Sequence, residues 1–82
     1  MPAPVESVTA RDAFVITKSD ATVFTTPAEA VYVGGAGDVA VRTIRQTVIT
    51  FSGMAAGTVL PVRCDMVMST NTTATNLVGL IY

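Results

Sequence analysis

The 82-residue sequence is half hydrophobic, carries charge on only 13% of its residues and has a formal net charge of −1. A single domain of this size buries roughly 60 to 65% of the surface that its unfolded chain exposes, so uncharged surface must face outward. The mean hydropathy of +0.55 argues against a disordered chain. Five basic against six acidic residues is the wrong balance for a nucleic-acid binder.

Segments that would direct the chain to a membrane are not apparent in the sequence. The densest apolar run, residues 77–82, is far shorter than the roughly 20 residues of a transmembrane helix. The amino end has neither the positive region nor the apolar region of a secretory signal. The single Cys64 cannot form an intrachain disulfide, and small domains without cross-links often gain stability by oligomerising. We therefore expect a protein made in the cytoplasm that completes its burial in an assembly.

Residues 1–12 are predicted to form an extended N-terminal arm, because Pro2 and Pro4 favour extended backbone. A frayed terminus is the simpler interpretation of this segment. As an arm, it would pair with the exposed edge of a neighbouring subunit, and Val5 and Val8 are its candidate contact residues. Residues 13–82 are predicted to form one β domain.

The composition of that domain favours strands. Thirty of the 82 residues are Val, Thr or Ile, which suit a pleated surface, and turn signals recur at short intervals. The pattern predicts an all-β sandwich or barrel of about six to eight short, mostly antiparallel strands. In chain order we expect strands at residues 13–17, 21–25 and 30–33, a hairpin over 38–51, and strands at 60–68 and 76–82.

The last two of these strands carry the clearest patterns. Residues 60–68 alternate in polarity, with Cys64 on the apolar side as a small buried hydrophobe. Arg63 and Asp65 lie on the opposite side, where we expect solvated surface charges or pairs between subunits. Residues 76–82 show no polar alternation, which indicates a strand covered on both faces. We expect it at the centre of a sheet or at a subunit interface.

The segment from Gly34 to Asp38 reads Gly-Gly-Ala-Gly-Asp, and the spacing Gly35-x-Gly37-x-x-Ala40 formally fits a dinucleotide fingerprint. That motif must open a helix, whereas a β-patterned run follows here. A calcium-binding β-helix repeat would need several stacked copies. A tight hairpin loop, in which the glycines supply positive φ, explains the segment more simply.

Enzymatic constellations are scarce in the sequence. The chain has no histidine, which excludes a Ser-His-Asp or Cys-His arrangement within one chain, and its six acids lack the paired spacing of a metal cluster. We expect no catalytic activity, cofactor or metal. Asn71-Thr72-Thr73 matches a glycosylation acceptor but is better explained as a polar loop, since no signal peptide precedes it. Binding of a glycan would depend on Tyr32 or Tyr82, and the sequence offers few other aromatic side chains that could stack on a sugar.

Three segments together carry a resemblance. They are Val31-Tyr32-Val33-Gly34-Gly35-Ala36-Gly37-Asp38-Val39-Ala40-Val41, Ala56-Gly57-Thr58-Val59-Leu60-Pro61-Val62-Arg63, and Thr70-Asn71-Thr72-Thr73-Ala74 ahead of an apolar ending in Tyr82. Over residues 28–82 the chain resembles small virion proteins of tailed phages and of gene transfer agents of marine and related alphaproteobacteria. Such proteins are β-rich and sit on the outer capsid surface, as cement or decoration subunits or as the base of a head spike.

The resemblance implies a structural role without chemistry and a location on the outer capsid surface. The first hypothesis is a decoration protein that cements neighbouring major capsid protein subunits and forms a homotrimer or, alternatively, a pentamer, with no nucleic-acid or membrane partner. A head-spike base at the vertices and a glycan-binding adhesin module are the alternatives. The candidate interface residues are Val5, Val8, Gly34, Gly35, Gly37, Asp38, Arg42, Arg63, Thr72, Thr73 and Tyr82.

Overall fold

The computed structural model describes residues 9–82, which form seven strands and no helix. The strands are β1 (Asp12–Val15), β2 (Ala30–Gly35), β3 (Gly37–Thr43), β4 (Val48–Met54), β5 (Thr58–Leu60), β6 (Cys64–Val67) and β7 (Thr75–Ile81). They build a first sheet in the order β1-β7-β2-β5 and a second in the order β4-β3-β6. All pairings are antiparallel, which confirms the predicted all-β sandwich.

The core lies between the two sheets and consists mainly of small β-branched side chains. Val31 and Val33 of β2 meet Val39 and Val41 of β3, and all four are fully buried. Leu77 of β7 is packed into the same cluster. Because every strand offers its inner face to this layer, each of these side chains gains the hydrophobic stabilisation of full burial, roughly 1.5–3 kcal/mol for a Val or Leu.

Two predictions about sheet order are confirmed. Residues 38–51 form most of the hairpin β3-β4, in which Val41 pairs with Ile49 and Val39 with Phe51. The carboxyl-terminal strand β7 lies in the interior of the first sheet, between β1 and β2. Its coverage differs from the prediction: Leu77 and Gly79 are buried, but Val78 and Leu80 are only half-buried, so this chain covers one face of the strand.

The predicted strand over residues 60–68 is in fact two strands in different sheets. Pro61 ends β5, and the amide of Val62 donates to the carbonyl of Leu60 (2.9 Å), which forms a tight turn that redirects the chain. β6 then begins at Cys64 in the second sheet. The alternating pattern was misleading because Leu60 and Cys64 both face the core on either side of the turn. A register shift in β6 then places Val67 in the core and Met66 opposite Arg42, so the apolar parity is not kept to the end of the segment.

The predicted strand at residues 21–25 is also absent. The hydroxyl of Ser19 accepts the amides of Ala21 and Thr22 (both 3.1 Å), and such a local bond competes with a strand ladder. The segment instead covers the edge of β6, where Phe24 donates its amide to the carbonyl of Asp65 (2.8 Å). A β-rich composition alone does not separate this irregular cover from a paired strand.

The glycine segment is likewise not a hairpin loop. Only Ala36 separates β2 from β3, and the two strands lie in different sheets. The segment is therefore the point where the chain crosses from one sheet to the other. Gly37 has a φ of 153°, a conformation that residues with side chains rarely adopt.

Candidate contact surfaces

Two of the predicted loops come together at the crossing between the sheets. A Cβ on Gly37 would lie 2.5 Å from the amide nitrogen of Ala74, and one on Gly34 would lie 2.6 Å from the carbonyl oxygen of Asn76. A Cβ on Gly35 would meet mainly the side-chain hydroxyl of Thr75, which can move. Gly34 and Gly37 are therefore needed for the close approach of the backbone that enters β7.

Asp38 fastens the threonine-rich loop to β3. Its carbonyl accepts the amides of Thr73 (2.9 Å) and Ala74 (3.1 Å), and its own amide donates to the hydroxyl of Thr73 (2.9 Å). Its carboxylate accepts the amide of Gly53 on β4 (2.9 Å). These predicted contact residues thus form an internal fastening, and their backbone and side-chain groups are largely engaged within the chain.

Thr72, another candidate contact residue, is buried. Its hydroxyl accepts the amide of Ala40 (2.9 Å) and donates to the carbonyl of the same residue (3.4 Å). The position favours an anchoring role within this subunit, because a buried and fully hydrogen-bonded hydroxyl has no group left for a neighbour.

The prediction that Asp65 is a solvated surface charge is wrong. Its side chain is only 12% exposed and forms a two-pronged ion pair with Arg42, with both distances at 2.9 Å. The Asp65 carboxylate faces the outer side of the second sheet but is covered by the Arg42 side chain and by the Gln46 amide at 3.4 Å. The hydrogen bond from Arg42 holds the pKa of Asp65 below its ordinary value.

The ion pair between Arg42 and Asp65 is expected to make the stability of the fold acid-sensitive. The pKa of Asp20 is also lowered, chiefly by the hydroxyl of Thr70. A carboxyl group whose folded-state pKa is depressed stabilises the fold above its unfolded pKa of about 4, and that contribution is lost as the pH falls through the folded value. The urea concentration at the unfolding midpoint should therefore decrease when the pH is lowered below 4. In Asp65→Asn this decrease should be smaller than in the wild type. An equal fall in wild type and variant would contradict the assignment.

Arg63 remains at the surface, where its side chain is 62% exposed. It contacts the carboxylate of Glu29 (3.3 Å), and the other oxygen of that carboxylate accepts the amide of Tyr82 (2.6 Å). Glu29 therefore joins two of the predicted contact residues at one end of the first sheet. The remaining two candidates, Val5 and Val8, lie outside the described residues.

Cys64 is buried, as its apolar parity predicts. Burial, with a smaller effect of the Asp65 charge, raises the pKa of its thiol to about 11, so the reactive thiolate is scarce at neutral pH. We expect a thiol reagent at pH 8 to modify the folded protein at least about a hundredfold more slowly than the urea-unfolded chain. Equal rates would show that the thiol is accessible.

A further candidate contact surface is one that the sequence patterns did not reveal. Side chains alternate across a strand, so the registers of the first sheet define its outer face. The residues that point outward are Ala13, Val15, Ala30, Tyr32, Val59, Val78 and Leu80, of which Ala30 is only 3% exposed. None of them is charged, whereas the solvent side of an antiparallel sheet is normally polar.

An apolar row crosses the middle of this outer face. Val15 on β1 is opposite Val78 on β7, which is opposite Tyr32 on β2, which is opposite Val59 on β5. Val15 is 82% exposed, Val59 43% and Tyr32 38%. Each strand contributes one outward residue to the row, so the sequence would reveal it only if the strand registers were known.

Other kinds of site are not apparent in the described part of the chain. Within residues 9–82, no three His, Cys, Asp or Glu side chains are grouped as metal ligands would be. The same residues include no helix that is long and apolar enough to cross a membrane.

Similarity to known proteins is found among solved structures. No protein-family model matches the chain, and no curated protein is similar. Among solved structures, a chain in the capsid of a native GTA (gene transfer agent) particle, computed with C5 symmetry, superposes with a TM-score of 0.81 and is 33% identical. The match covers 95% of this chain and 90% of that chain. The protein belongs to the family of that capsid chain. The similarity extends over nearly the whole chain, beyond residues 28–82 on which the sequence resemblance rests.

Proposed function

We propose that the protein is a structural component of the capsid of a gene transfer agent or phage-like particle, without catalytic activity. On the outer surface of that shell it would cement neighbouring subunits of the major capsid protein. The observation that carries the proposal is the similarity over 95% of the chain, at 33% identity, to a chain of a GTA capsid.

The uncharged outer face of the first sheet is the surface that we assign to the major capsid protein. Centres of protein interfaces are depleted in charged residues and enriched in aromatic ones, and the apolar row supplies Tyr32 with three valines around it. Burial of apolar area yields about 25 cal/mol per Å². Burial of the apolar row against the shell would therefore contribute favourably to the free energy of binding.

Charged groups would lie at the rim of this contact. Arg63, exposed and linked through Glu29 to Tyr82, can orient the subunit but adds little energy, since exposed ion pairs contribute about 0 to 1 kcal/mol. Arg42 is already engaged by Asp65. Gly34, Gly35, Gly37, Asp38, Thr72 and Thr73 would act by holding the loop that leads into β7.

We further propose that the subunits associate into a cyclic oligomer, a trimer at local threefold positions or a pentamer. A head-spike base at the vertices is the second candidate. The glycan-binding hypothesis stays a prediction that binding to a sugar array would test.

The experiment is reconstitution on particles that lack this chain. Purified protein should co-sediment with them saturably, and quantitative mass spectrometry then gives the copy number per particle. Hundreds of copies are expected of a cement, whereas about sixty or fewer indicate vertices. A protein that never sediments with particles would overturn the proposal.

A further inference from the structure

The free edge of β4 is open to pairing with another chain. β4, the outer strand of the second sheet, has seven residues without a charge or a proline, which are the usual protections of an edge. Val48 is 55% exposed and Ile49 44%. The opposite edge of the same sheet is covered, since Ser19 and Phe24 donate their amides to β6.

The hydrogen-bonding groups on this edge can be assigned. Ala40 of β3 directs its carbonyl toward Met68 (2.8 Å) and its amide to the hydroxyl of Thr72, so both groups point away from β4. Thr50, its partner on β4, therefore does not exchange hydrogen bonds with it. Because the pattern alternates along an antiparallel pair, the amides and carbonyls of Val48 and Thr50 face the open edge.

We propose that residues 2–8 of a second copy of this chain add to the β4 edge as an extra strand. Alternate residues of a strand direct their backbone groups to the same side. In an extended strand, Pro2 and Pro4 would direct their backbone groups to one edge, and because proline has no amide hydrogen that edge cannot pair fully with another strand. Ala3, Val5 and Ser7 would direct their amides to the other edge, which could pair with β4. The edge with the prolines would then prevent a further strand from adding.

The arm must come from a second copy because, within one subunit, it begins on the side of the sandwich opposite to β4. The arm enters β1, at the far edge of the first sheet from β5, whereas only residues 55–57 separate β5 from β4. Reaching β4 means crossing three strand spacings, about 14 Å, and the inter-sheet distance of about 10 Å. Eight extended residues span at most about 29 Å, so an arm that covered this distance would have almost no residues left to pair with β4.

An arm that leaves one side of a subunit and binds the opposite side of the next makes a heterologous contact. Such contacts generate rings when the rotation closes. The inference rests on the proposed cyclic association of subunits, and it does not depend on the contact with the major capsid protein.

The test combines an edge variant with an arm variant of the full chain. Thr50→Pro removes an amide that faces the open edge, and deletion of residues 2–8 removes the arm. In native mass spectrometry the wild type should form a ring, and for each variant alone the dissociation constant between subunits should be at least about tenfold higher. An equimolar mixture of the two variants should form a heterodimer, because the intact arm of Thr50→Pro can then pair with the intact β4 edge of the deletion variant.

Controls separate this outcome from unfolding and from other occupants. Thr50→Lys, which protects the edge with a charge, should match Thr50→Pro, and circular dichroism should show folded variants. Val59→Pro is the matched control. Val59 is opposite Tyr32, and the neighbouring Val33 directs its carbonyl toward β5, where it accepts the amide of Gly57. The amide of Val59 therefore faces the open edge of β5, and the variant should still form the ring.

The proposal is overturned if the wild type is a monomer, if both variants keep the ring, or if the mixture stays monomeric. A monomeric mixture is the result expected if the arm folds back on its own β1 edge or if the capsid protein occupies β4. Ring formation without co-sedimentation would sink only the proposed capsid function. Co-sedimentation of a protein that never forms rings would overturn the cyclic association and the arm exchange, and would leave the capsid function standing.

Discussion

Val59→Lys is expected to weaken binding to the capsid at least about 30-fold, the equivalent of about 2 kcal/mol for a residue at the centre of an interface. Val59 is 43% exposed on the outer face of the first sheet, opposite Tyr32. The charge would lie in the middle of the apolar row and lose its hydration on binding. Co-sedimentation of the variant with particles over a range of concentrations measures the loss.

The matched control is Ile44→Lys, at an aliphatic residue of similar exposure (41%) in the turn between β3 and β4 of the second sheet. It adds the same charge outside the outer face of the first sheet, so binding should remain within about threefold of wild type. Both variants should unfold near the wild-type temperature, because both side chains are already half in water. Equal loss of binding in the two variants, or no loss in either, would remove the apolar row from the contact.

Gly37→Ala is expected to be the most destabilising single substitution at the crossing between the sheets, at about 3 kcal/mol or more. The new Cβ would lie 2.5 Å from the amide of Ala74 and 2.8 Å from its Cα, and the backbone φ of 153° is itself unfavourable. Neither neighbour is a flexible side-chain end. Thermal unfolding should show a decrease in Tm of roughly 12–24 °C for a domain of this size.

Gly57→Ala serves as the control for this substitution. Gly57 also has a positive φ, 82°, but a Cβ there would meet nothing within 4 Å. Its cost should be limited to the backbone strain of about 1 kcal/mol, with a correspondingly smaller shift in Tm. If the two variants have the same Tm, the close approach of β3 to residues 73–74 is not what requires glycine at position 37.

The parts of the fold that the sequence predicts well are those governed by local patterns. The hairpin β3-β4 follows from two alternating runs on either side of a polar turn. The interior position of β7 follows from its continuous apolar run, since an edge strand seldom carries one. The burial of Cys64 follows from its apolar parity with Leu60 and Val62, although the turn at Pro61 separates it from Leu60.

The failures arise where tertiary contacts override a local pattern. Asp65 is buried because Arg42, 23 residues earlier, pairs with it across β3 and β6, and no local signal marks that pairing. The glycine segment carries the composition of a hairpin loop, but its glycines are required by the close approach of residues 73–76. The segment around Phe24 has strand composition without a strand partner.

The candidate site was the least accessible to sequence reasoning. The polar and glycine residues that attract attention as motifs prove to hold the loop before β7 in place. The outer face of the first sheet, by contrast, is assembled from four strands that are distant in the sequence. Once the registers are known, its complete lack of charge explains where a chain with only 13% charged residues exposes its uncharged surface.

The most direct test of the central claim is a reconstruction of the intact particle at a resolution that shows strands. We expect density for this sandwich on the outside of the shell, with Val15, Tyr32, Val59 and Val78 packed against the major capsid protein. Density inside the capsid, or a sandwich that turns this face to solvent and contacts the shell with another face, would contradict the proposed function.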